Sequence, residues 1–177
     1  VDEAAPDFSN ADEVFKTLRA WGTASVRSEL LEQHRDLIKG TIIGEIEMGL
    51  KLKASDVGKA EEMRTAYFNR VNSFMNTYEF MVMPVNQVPP FDAKTEYPTE
   101  INGVQMDSYI DWMKSCYYIS ALGHPAASVP CGFTPEGLPV GLQIVGRHHD
   151  DFGVLQLASA FEKATMFGDR LPGILGS

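Results

Sequence analysis

Hydrophobic side chains recur every three or four residues through the first part of the chain, a spacing typical of amphipathic helices. Val14, Leu18 and Trp21 form the first stripe, and we predict that its helix begins with a cap at Asn10 and ends at Gly22. Three further helices are predicted from later stripes. The second helix has its apolar positions at Leu30, Leu31, Leu37 and Ile38, and the third, after a break near Gly40, has them at Ile42, Ile43, Ile46 and Leu50. The fourth helix is long, and its apolar positions are Ala60, Met63, Tyr67, Val71, Phe74 and Tyr78.

The period then changes from helical to strand-like. Ser55 is predicted to cap the long fourth helix, and Phe80–Met83 after it is a continuous apolar run that suits a buried strand. The stretch from Pro84 to Gln105 has four prolines and no stable period. An irregular connection of this length is usually functional, or it packs along another part of the protein.

The last third returns to regular structure. Residues 106–122 have helical character that Gly123 ends, and Asp150 is predicted to cap a final helix over Val154–Ala164. Between them lie two predicted strands, Ala126–Pro130 and Pro139–Gly146, with Pro and Gly placed for a type I turn at 134–137. Helices and strands together predict an α/β fold. Three strands are few for a complete sheet, so we expect part of a mixed sheet flanked by helices.

Composition excludes several classes of partner. The 177 residues contain 15 Lys and Arg against 24 Asp and Glu, a net charge of −9, which disfavours binding to nucleic acid or to an anionic membrane. No apolar run is long enough to span a bilayer. The two cysteines, Cys116 and Cys131, form no C-x-x-C site, and we expect a reducing cytoplasmic location.

Three local clusters could carry chemistry, and each has a structural alternative. His148, His149 and Asp150 are residue types that ligate zinc, but adjacent residues rarely point at one ion and Asp150 suits a helix cap. Ser128 with His124 lies outside a G-x-S-x-G elbow, in a predicted strand where the two side chains cannot touch. Nothing marks either cysteine as a nucleophile. We therefore predict no catalytic residue and no metal ligand in this chain, and no cofactor.

One long two-part motif is more specific than any of these clusters. The segment Gly123–Phe133 reads GHPAASVPCGF, and Gly137–Gly146 reads GLPVGLQIVG. Together they resemble the C-terminal block of the amidase signature family. The resemblance is strongest over residues 55–167. Under it, residues 1–177 are one α/β unit from the C-terminal portion of an amidase domain, with a helical lead-in over 1–54 and a tail over 168–177.

This resemblance implies that the enzyme cleaves amide bonds and that its catalytic residues lie in another part of the fold. Amidase signature enzymes cleave amide bonds with a Ser–Ser–Lys triad, which lies in the N-terminal half beside a Gly/Ser-rich segment. No adjacent serine pair occurs in these 177 residues, so no residue is assigned to the triad. The resemblance implies that this portion adds strands to a shared sheet and helps to wall the substrate pocket, and that the chain alone is inactive.

The same resemblance places the substrate near the corner between the predicted helix and the first strand of the motif. The candidate substrate-binding residues there are Tyr117, Tyr118, Ser120, Gly123 and His124, and Trp112 and Met113 are candidates for an apolar wall. Expected partners are a small-molecule amide and either the N-terminal half of the fold or another copy of the chain. Two alternatives stay open: a non-catalytic interaction subunit with this fold, and a metal-dependent hydrolase that uses His148, His149 and Asp150.

Overall fold

The computed structural model describes residues 1–170, so the end of the predicted tail, residues 171–177, lies outside the described residues. The α-helices are α1 (Ala11–His34), α2 (Gly40–Lys51), α3 (Ala54–Met75), α4 (Lys114–Ser120) and α5 (Asp151–Thr165). The strands are β1 (Phe80–Pro84), β2 (Glu100–Ile101), β3 (Val104–Gln105), β4 (Ala126–Phe133) and β5 (Pro139–Gly146). The predicted α/β class is confirmed. The chain forms two compact units, the first comprising Val1–Val71 and Ser120–Leu122, the second Asn72–Ile119 and the chain from Gly123 onward.

The first unit is built on close packing of α1 against α2. Its core contains Ala24, Leu31 and Ile46. A methyl group at Gly49 would lie only 2.6 Å from the Cβ of Ala24, so this position of α2 must be glycine for the two helices to approach so closely. Within residues 1–170, every helix is too short or too polar to cross a lipid bilayer.

The first helix differs from prediction in its end and in its cap, although it starts where it was predicted to start. The helix does not stop at Gly22 but continues to His34, because packing against α2 outweighs the cost of about 1 kcal/mol of one glycine in a helix. Asn10 does precede the helix, but its side chain makes no capping hydrogen bond. Its backbone is left-handed, with φ of 69°, whereas a capping side chain needs the extended conformation to reach the first free N–H groups.

The long helix α3 was predicted correctly in its buried face, where Ala60, Tyr67 and Val71 are inaccessible to solvent. Its predicted cap is wrong, since the helix begins at Ala54 and Ser55 lies within the first turn. The carboxylate of Asp56 instead accepts a hydrogen bond of 2.9 Å from the backbone N–H of Lys53. That bond satisfies a donor just before the helix, which is the role expected of a side chain in the first turn.

The second unit contains a three-stranded antiparallel sheet with the strand order β1–β5–β4. All three strands were predicted, although β4 runs three residues further than expected, to Phe133. The turn at 134–137 is confirmed by the hydrogen bond of 2.8 Å from the N–H of Gly137 to the carbonyl of Thr134. This short turn connects β4 to β5. The two strands pair along almost their whole length, and a bulge lies between Pro130 and Gly132.

Helix α5 covers one face of this sheet over β4 and β5. Val154 and Ala158 of the helix pack against Val129 and Ile144 of the strands in one apolar cluster. The predicted cap is confirmed, because the carboxylate of Asp150 accepts a hydrogen bond of 3.1 Å from the N–H of Gly153. The helix therefore begins directly after the sheet, and its start is held by a side chain.

The segment between β1 and α4 departs from prediction in two places. It contains a short β2–β3 hairpin whose turn residues, Asn102 and Gly103, have φ of 50° and 79°. An Asn-Gly pair is the usual signal for such a turn, so the sequence did carry it. The predicted helix over 106–122 is confirmed only as α4 and a preceding 3₁₀ turn, because the carboxylate of Asp111 accepts hydrogen bonds of 2.8 Å from the N–H and hydroxyl of Ser108. Such local side-chain bonds compete with helix formation.

Candidate functional site

A sharp corner before β4 positions the most distinctive part of the motif. Gly123 has φ of +73°, in the left-handed region that side chains strain to adopt, so the chain can turn here from the end of α4 toward the strand. The next residue, His124, is turned inward and is only 6% exposed. The glycine is thus required by the backbone, and the histidine is the side chain that the corner brings into the interior.

His124 ties the start of β4 to the end of β5. Its Nδ1 lies 3.0 Å from the carbonyl oxygen of Gly146, and because a carbonyl can only accept, Nδ1 carries the proton and donates. The ring of His148 lies 5.9 Å from that of His124, centroid to centroid. Burial lowers the pKa of His124 below its ordinary value, the bond to Gly146 opposes that shift, and the charge of His148 adds to it. The neutral ring is therefore the favoured form.

The other residues predicted to bind substrate lie in different surroundings. Tyr117 is only 3% exposed, and its ring meets that of the half-buried Tyr118 edge-on, 5.3 Å away. Gly123 and Ser120 are exposed. Ser120 belongs to the first unit, whereas the two tyrosines, Gly123 and His124 belong to the second. Tyr117 therefore contributes to the core of its unit, while Tyr118 and Gly123 keep surface that a ligand can reach.

The second unit also contains an open groove of about 500 Å³ beside the C-terminal end of β1. Its lining side chains are apolar or uncharged: Pro84, Val85, Asn86, Gln87, Val88, Pro89, Pro90, Phe91, Trp112, Cys131, Pro139, Val140, Gly141 and Leu142. A groove of this size and lining suits a neutral, largely apolar group and disfavours a charged one, which would lose its hydration without gaining a partner.

Hydrogen bonds hold the proline-rich wall of this groove in place. The hydroxyl of Ser115 donates to the carbonyl of Val85 at 2.7 Å, and the N–H of Lys114 donates to the side-chain oxygen of Gln87 at 2.6 Å. Lys114 is the first residue of α4, so the Gln87 side chain satisfies one of the free N–H groups at that helix start. Gln143 in β5 donates to the carbonyl of Ser115 at 3.1 Å, which connects the same helix to the sheet.

Trp112 gives the groove an aromatic wall and one polar atom. Its ring meets that of Phe91 edge-on at 5.3 Å. Its indole Nε1 is buried and has no hydrogen-bond acceptor among residues 1–170. An indole N–H can only donate, so this donor is left without an acceptor in the part of the chain that the structure describes. Sequence reasoning gave Trp112 as a candidate wall residue and expected the 84–105 segment either to be functional or to pack along another part of the protein, but it did not identify the loop residues that line the groove.

The residues considered for metal binding serve other roles. Asp150 caps α5, and the rings of His148 and His149 lie 3.8 Å apart, centroid to centroid. Within residues 1–170, no group of three or more His, Cys, Asp or Glu side chains is arranged to hold a metal ion. The geometry therefore gives no support to a metal-dependent hydrolase. Cys116 and Cys131 are half-buried, and neither forms a disulfide within residues 1–170.

Comparison with known proteins identifies relatives over nearly the whole chain. Residues 4–155 match the family model described as Amidase. The chain is 32% identical over 176 residues to an acylamidase of Rhodococcus erythropolis, a match that covers 97% of this chain and 36% of that protein. It is 34% identical over 117 residues to a glutamyl-tRNA(Gln) amidotransferase subunit of Thermodesulfovibrio yellowstonii, a match that covers 64% of this chain and 22% of that protein.

A solved structure of similar fold also belongs to the amidase signature enzymes. It is the crystal structure of a bacterial aryl acylamidase of the amidase signature enzymes, with a TM-score of 0.77 and 25% identity over 92% of this chain. The match covers 35% of that enzyme. The matches thus span little more than a third of the length of the two acylamidases and 22% of the amidotransferase subunit, and the motif from Gly123 to Gly146 lies inside the matched region.

Proposed function

Because this chain belongs to the amidase signature family, we propose that residues 1–177 form the C-terminal portion of a hydrolase that cleaves carboxylic amide bonds. The observation that carries the proposal is the match over nearly all of this chain to little more than a third of an acylamidase. A portion of this size that contains a three-stranded sheet and a groove contributes scaffold and substrate contacts. The catalytic groups then belong to the polypeptide that completes the fold.

The proposed chemistry is nucleophilic catalysis by a Ser–Ser–Lys triad. One serine attacks the amide carbonyl, a second serine relays its proton, and the lysine acts as the base. The amine leaves with a proton, and water then releases the acyl group from the serine. This sequence contains no adjacent serine pair, so every one of these steps is assigned to groups outside the 177 residues.

In this proposal the groove beside β1 receives the apolar acyl or aryl group of the amide. Its uncharged lining favours a neutral substrate, and Trp112 and Phe91 supply aromatic surface to that lining. Tyr118, Gly123 and His124 at the β4 corner are proposed as further pocket residues, with Tyr117 supporting them from the core. Ser120, an exposed residue, stays a proposed substrate contact.

The decisive experiment compares the chain alone with a chimera. In the chimera, this chain replaces the aligned segment of the Rhodococcus erythropolis acylamidase, which restores the two thirds of the fold that it does not cover. We expect the purified chain to leave an aryl acylamide such as 4-nitroacetanilide intact and the chimera to hydrolyse it. Turnover by the chain alone that is abolished by changing one of its own residues would contradict the proposal.

A non-catalytic subunit with the same fold is the second candidate. It is favoured by the absence of a serine pair from the sequence and by a relative that is itself one subunit of an amidotransferase. An in-frame lysine and a Gly/Ser-rich block encoded upstream of Val1 would support the enzyme, whereas a start codon there would support the subunit. The free thiols of Cys116 and Cys131 are consistent with the predicted cytoplasmic location.

A further inference from the structure

Val85 and Gly141 meet in the lining of the groove beside β1. Val85 directly follows β1, and Gly141 lies in β5. A Cβ at Gly141 would lie 3.0 Å from Cγ2 of Val85 and 3.0 Å from the hydroxyl oxygen of Ser128. Contacts this short are rare in close-packed proteins, so a methyl group at position 141 would fit only if one of these side chains moved aside. The side chain of Val85 therefore packs directly on the backbone of Gly141.

Hydrogen bonds hold the backbone of Val85 on both of its polar groups. Its N–H donates to the carbonyl of Gly141 at 3.3 Å, and its carbonyl accepts from the hydroxyl of Ser115 at 2.7 Å. The carbonyl of Ser115 is itself bonded at 3.1 Å by Gln143, which is only 6% exposed. Val85 cannot withdraw from the groove without breaking these bonds, so its side chain is a fixed part of the lining.

The chemistry of the lining makes size the property by which this groove can select a ligand. All of its lining side chains are apolar or uncharged, so none can select for a charge of either sign. A preformed hydrophobic pocket discriminates between groups that differ by one methylene by roughly 10–200-fold. A fixed valine in the lining is therefore able to limit the group that enters.

We infer that the contact between Val85 and Gly141 is a size gate, which determines how large an apolar group of the amide substrate the groove accepts. The inference rests on the proposed function, which supplies the substrate. Val85 acts through its own bulk, and Gly141 acts by allowing Val85 to lie against β5. A larger residue at 141 would displace Val85 toward the groove, whereas a smaller residue at 85 would open the groove.

Substrate selectivity of the chimera tests the gate with two pairs of amides. The pair 4-nitroacetanilide and 4-nitrobutyranilide differs in the acyl group, and the pair acetanilide and N-2-naphthylacetamide differs in the amine. In one pair, Val85→Ala should raise kcat/KM for the larger member relative to the smaller by about fivefold or more, and Val85→Ile should lower it by about as much. The pair that responds identifies the side of the amide that occupies the groove. Ratios that stay unchanged in both pairs would overturn the inference.

A matched valine shows whether the gate or the volume of the whole loop is responsible. Val88 belongs to the same loop, lines the same groove and is half-buried like Val85. The atoms nearest to a Cβ at Gly141 belong to other residues: Val85, Ser128 and Val129. Val88→Ala should therefore change the selectivity less than about twofold. An effect as large as that of Val85→Ala would contradict a gate at Val85.

Gly141→Ala tests the contact itself. In the chimera with Val85 intact, this variant should lower the selectivity ratio by about fivefold or more, because the new methyl displaces Val85. In the Val85→Ala background the same change should have less than about a twofold effect, because the shortened side chain leaves room for the methyl. Equal effects of Gly141→Ala in the two backgrounds would show that the residues act independently, which would contradict the gate.

Binding to the isolated chain provides a measurement that does not need catalysis. The sequence contains two tryptophans, so Trp21→Phe leaves Trp112 in the groove lining as the fluorescent reporter. Binding of 4-nitrobutyranilide or N-2-naphthylacetamide should change its emission. For one of the two amides, Val85→Ala should lower the Kd by about fivefold or more, while Val88→Ala should change it less than twofold. Circular dichroism verifies that each variant is folded. Emission that neither amide changes would count against the gate.

The outcomes distinguish the gate from the proposed function. Hydrolysis by the chimera with a size ratio that does not respond to Val85 would refute the gate alone. Binding that responds to Val85, together with a folded chimera that hydrolyses none of the four amides, would refute the function alone. If neither hydrolysis nor a response to Val85 is found, both are wrong.

Discussion

His124 shows how one buried side chain can hold a corner of the candidate site. It bonds the carbonyl of Gly146 and sits next to a second imidazole, that of His148. In the neutral form these contacts are compatible with burial, whereas a proton on His124 adds charge to an interior position beside another titratable ring. Stability should therefore depend on the protonation of this residue.

We expect the chain to lose stability as the pH falls below about 6.5. Burial lowers the pKa of His124 in the folded state below its ordinary value of 6.5, so the unfolded chain takes up the proton first. The stabilisation is fully present above 6.5 and is lost below it, down to the folded pKa. Urea unfolding at pH 7.5 and 5.5 measures the effect, which should be smaller in His124→Asn. The exposed His34→Asn is the control; an equal loss in both variants would contradict this role.

The cap of α5 is a second interaction that belongs to one residue. Asp150→Ala should lower the free energy of unfolding by about 1 kcal/mol, because the N–H of Gly153 loses its acceptor. Asp150→Asn should stay within a few tenths of a kcal/mol of the natural chain, since asparagine caps helices equally well. Denaturant unfolding of the two variants provides the measurement. A stoichiometric metal ion lost equally from both variants would instead favour the metal-binding alternative.

At the scale of elements, the α1–α2 pair shows that glycine can lower stability in one helix and be required for packing in the next. Gly22 lies in α1 with no atom of another element within 4 Å of a Cβ position, among the described residues. Gly49 lies where α2 meets α1, close to Ala24. The first glycine is a local cost in helix propensity, whereas the second is required by the packing.

Alanine at these two positions should change stability in opposite directions. Gly22→Ala should raise the free energy of unfolding by about 0.5–1 kcal/mol, because alanine favours the helix and meets no neighbour. Gly49→Ala should lower it by about 1–3 kcal/mol, because its methyl group overlaps α1. Thermal melts followed by circular dichroism distinguish the two. Equal shifts of the same sign would show that the helices do not pack as closely as described.

For the whole molecule, the outer face of α5 is a large exposed apolar surface. Phe152 and Leu155 are 71% and 62% exposed, and they line a shallow cavity of about 470 Å³ along the helix. Large apolar side chains that share one exposed patch usually mark an interaction surface. The groove, the outer edge of β1 and this face of α5 are all exposed surfaces. Such surfaces are expected of a chain that matches little more than a third of the related acylamidase.

The isolated chain should therefore bind a hydrophobic dye while folded. We expect anilinonaphthalene sulfonate fluorescence to fall at least twofold in a Phe152→Ser, Leu155→Gln double variant, because the apolar cavity on α5 is lost. Val104→Thr, at an exposed position of the β2–β3 hairpin, is the matched control and should change little. Fluorescence that is unaffected by the double variant would show that the dye binds elsewhere.

The sequence was most informative where local rules decide the structure. The apolar runs in β1 and β5, the turn at 134–137 and the cap at Asp150 were all predicted, because each depends on residues that are neighbours along the chain. The amidase family was identified by the resemblance of the motif Gly123–Gly146 to the C-terminal block of that family, and the match of residues 4–155 to the family model confirms it.

Only the tertiary structure determined the features that depend on contacts between residues distant along the chain. Helix α1 continues past Gly22 because it packs against α2. The groove forms only when the 84–91 loop, Trp112 and the start of β5 come together. The sequence likewise allowed any of its strands to lie at an edge, and only the pairing order placed β1 and β4 at the two edges. Contacts between distant segments do not follow from local propensity, because their free energy comes from surfaces that adjoin only after the chain has folded.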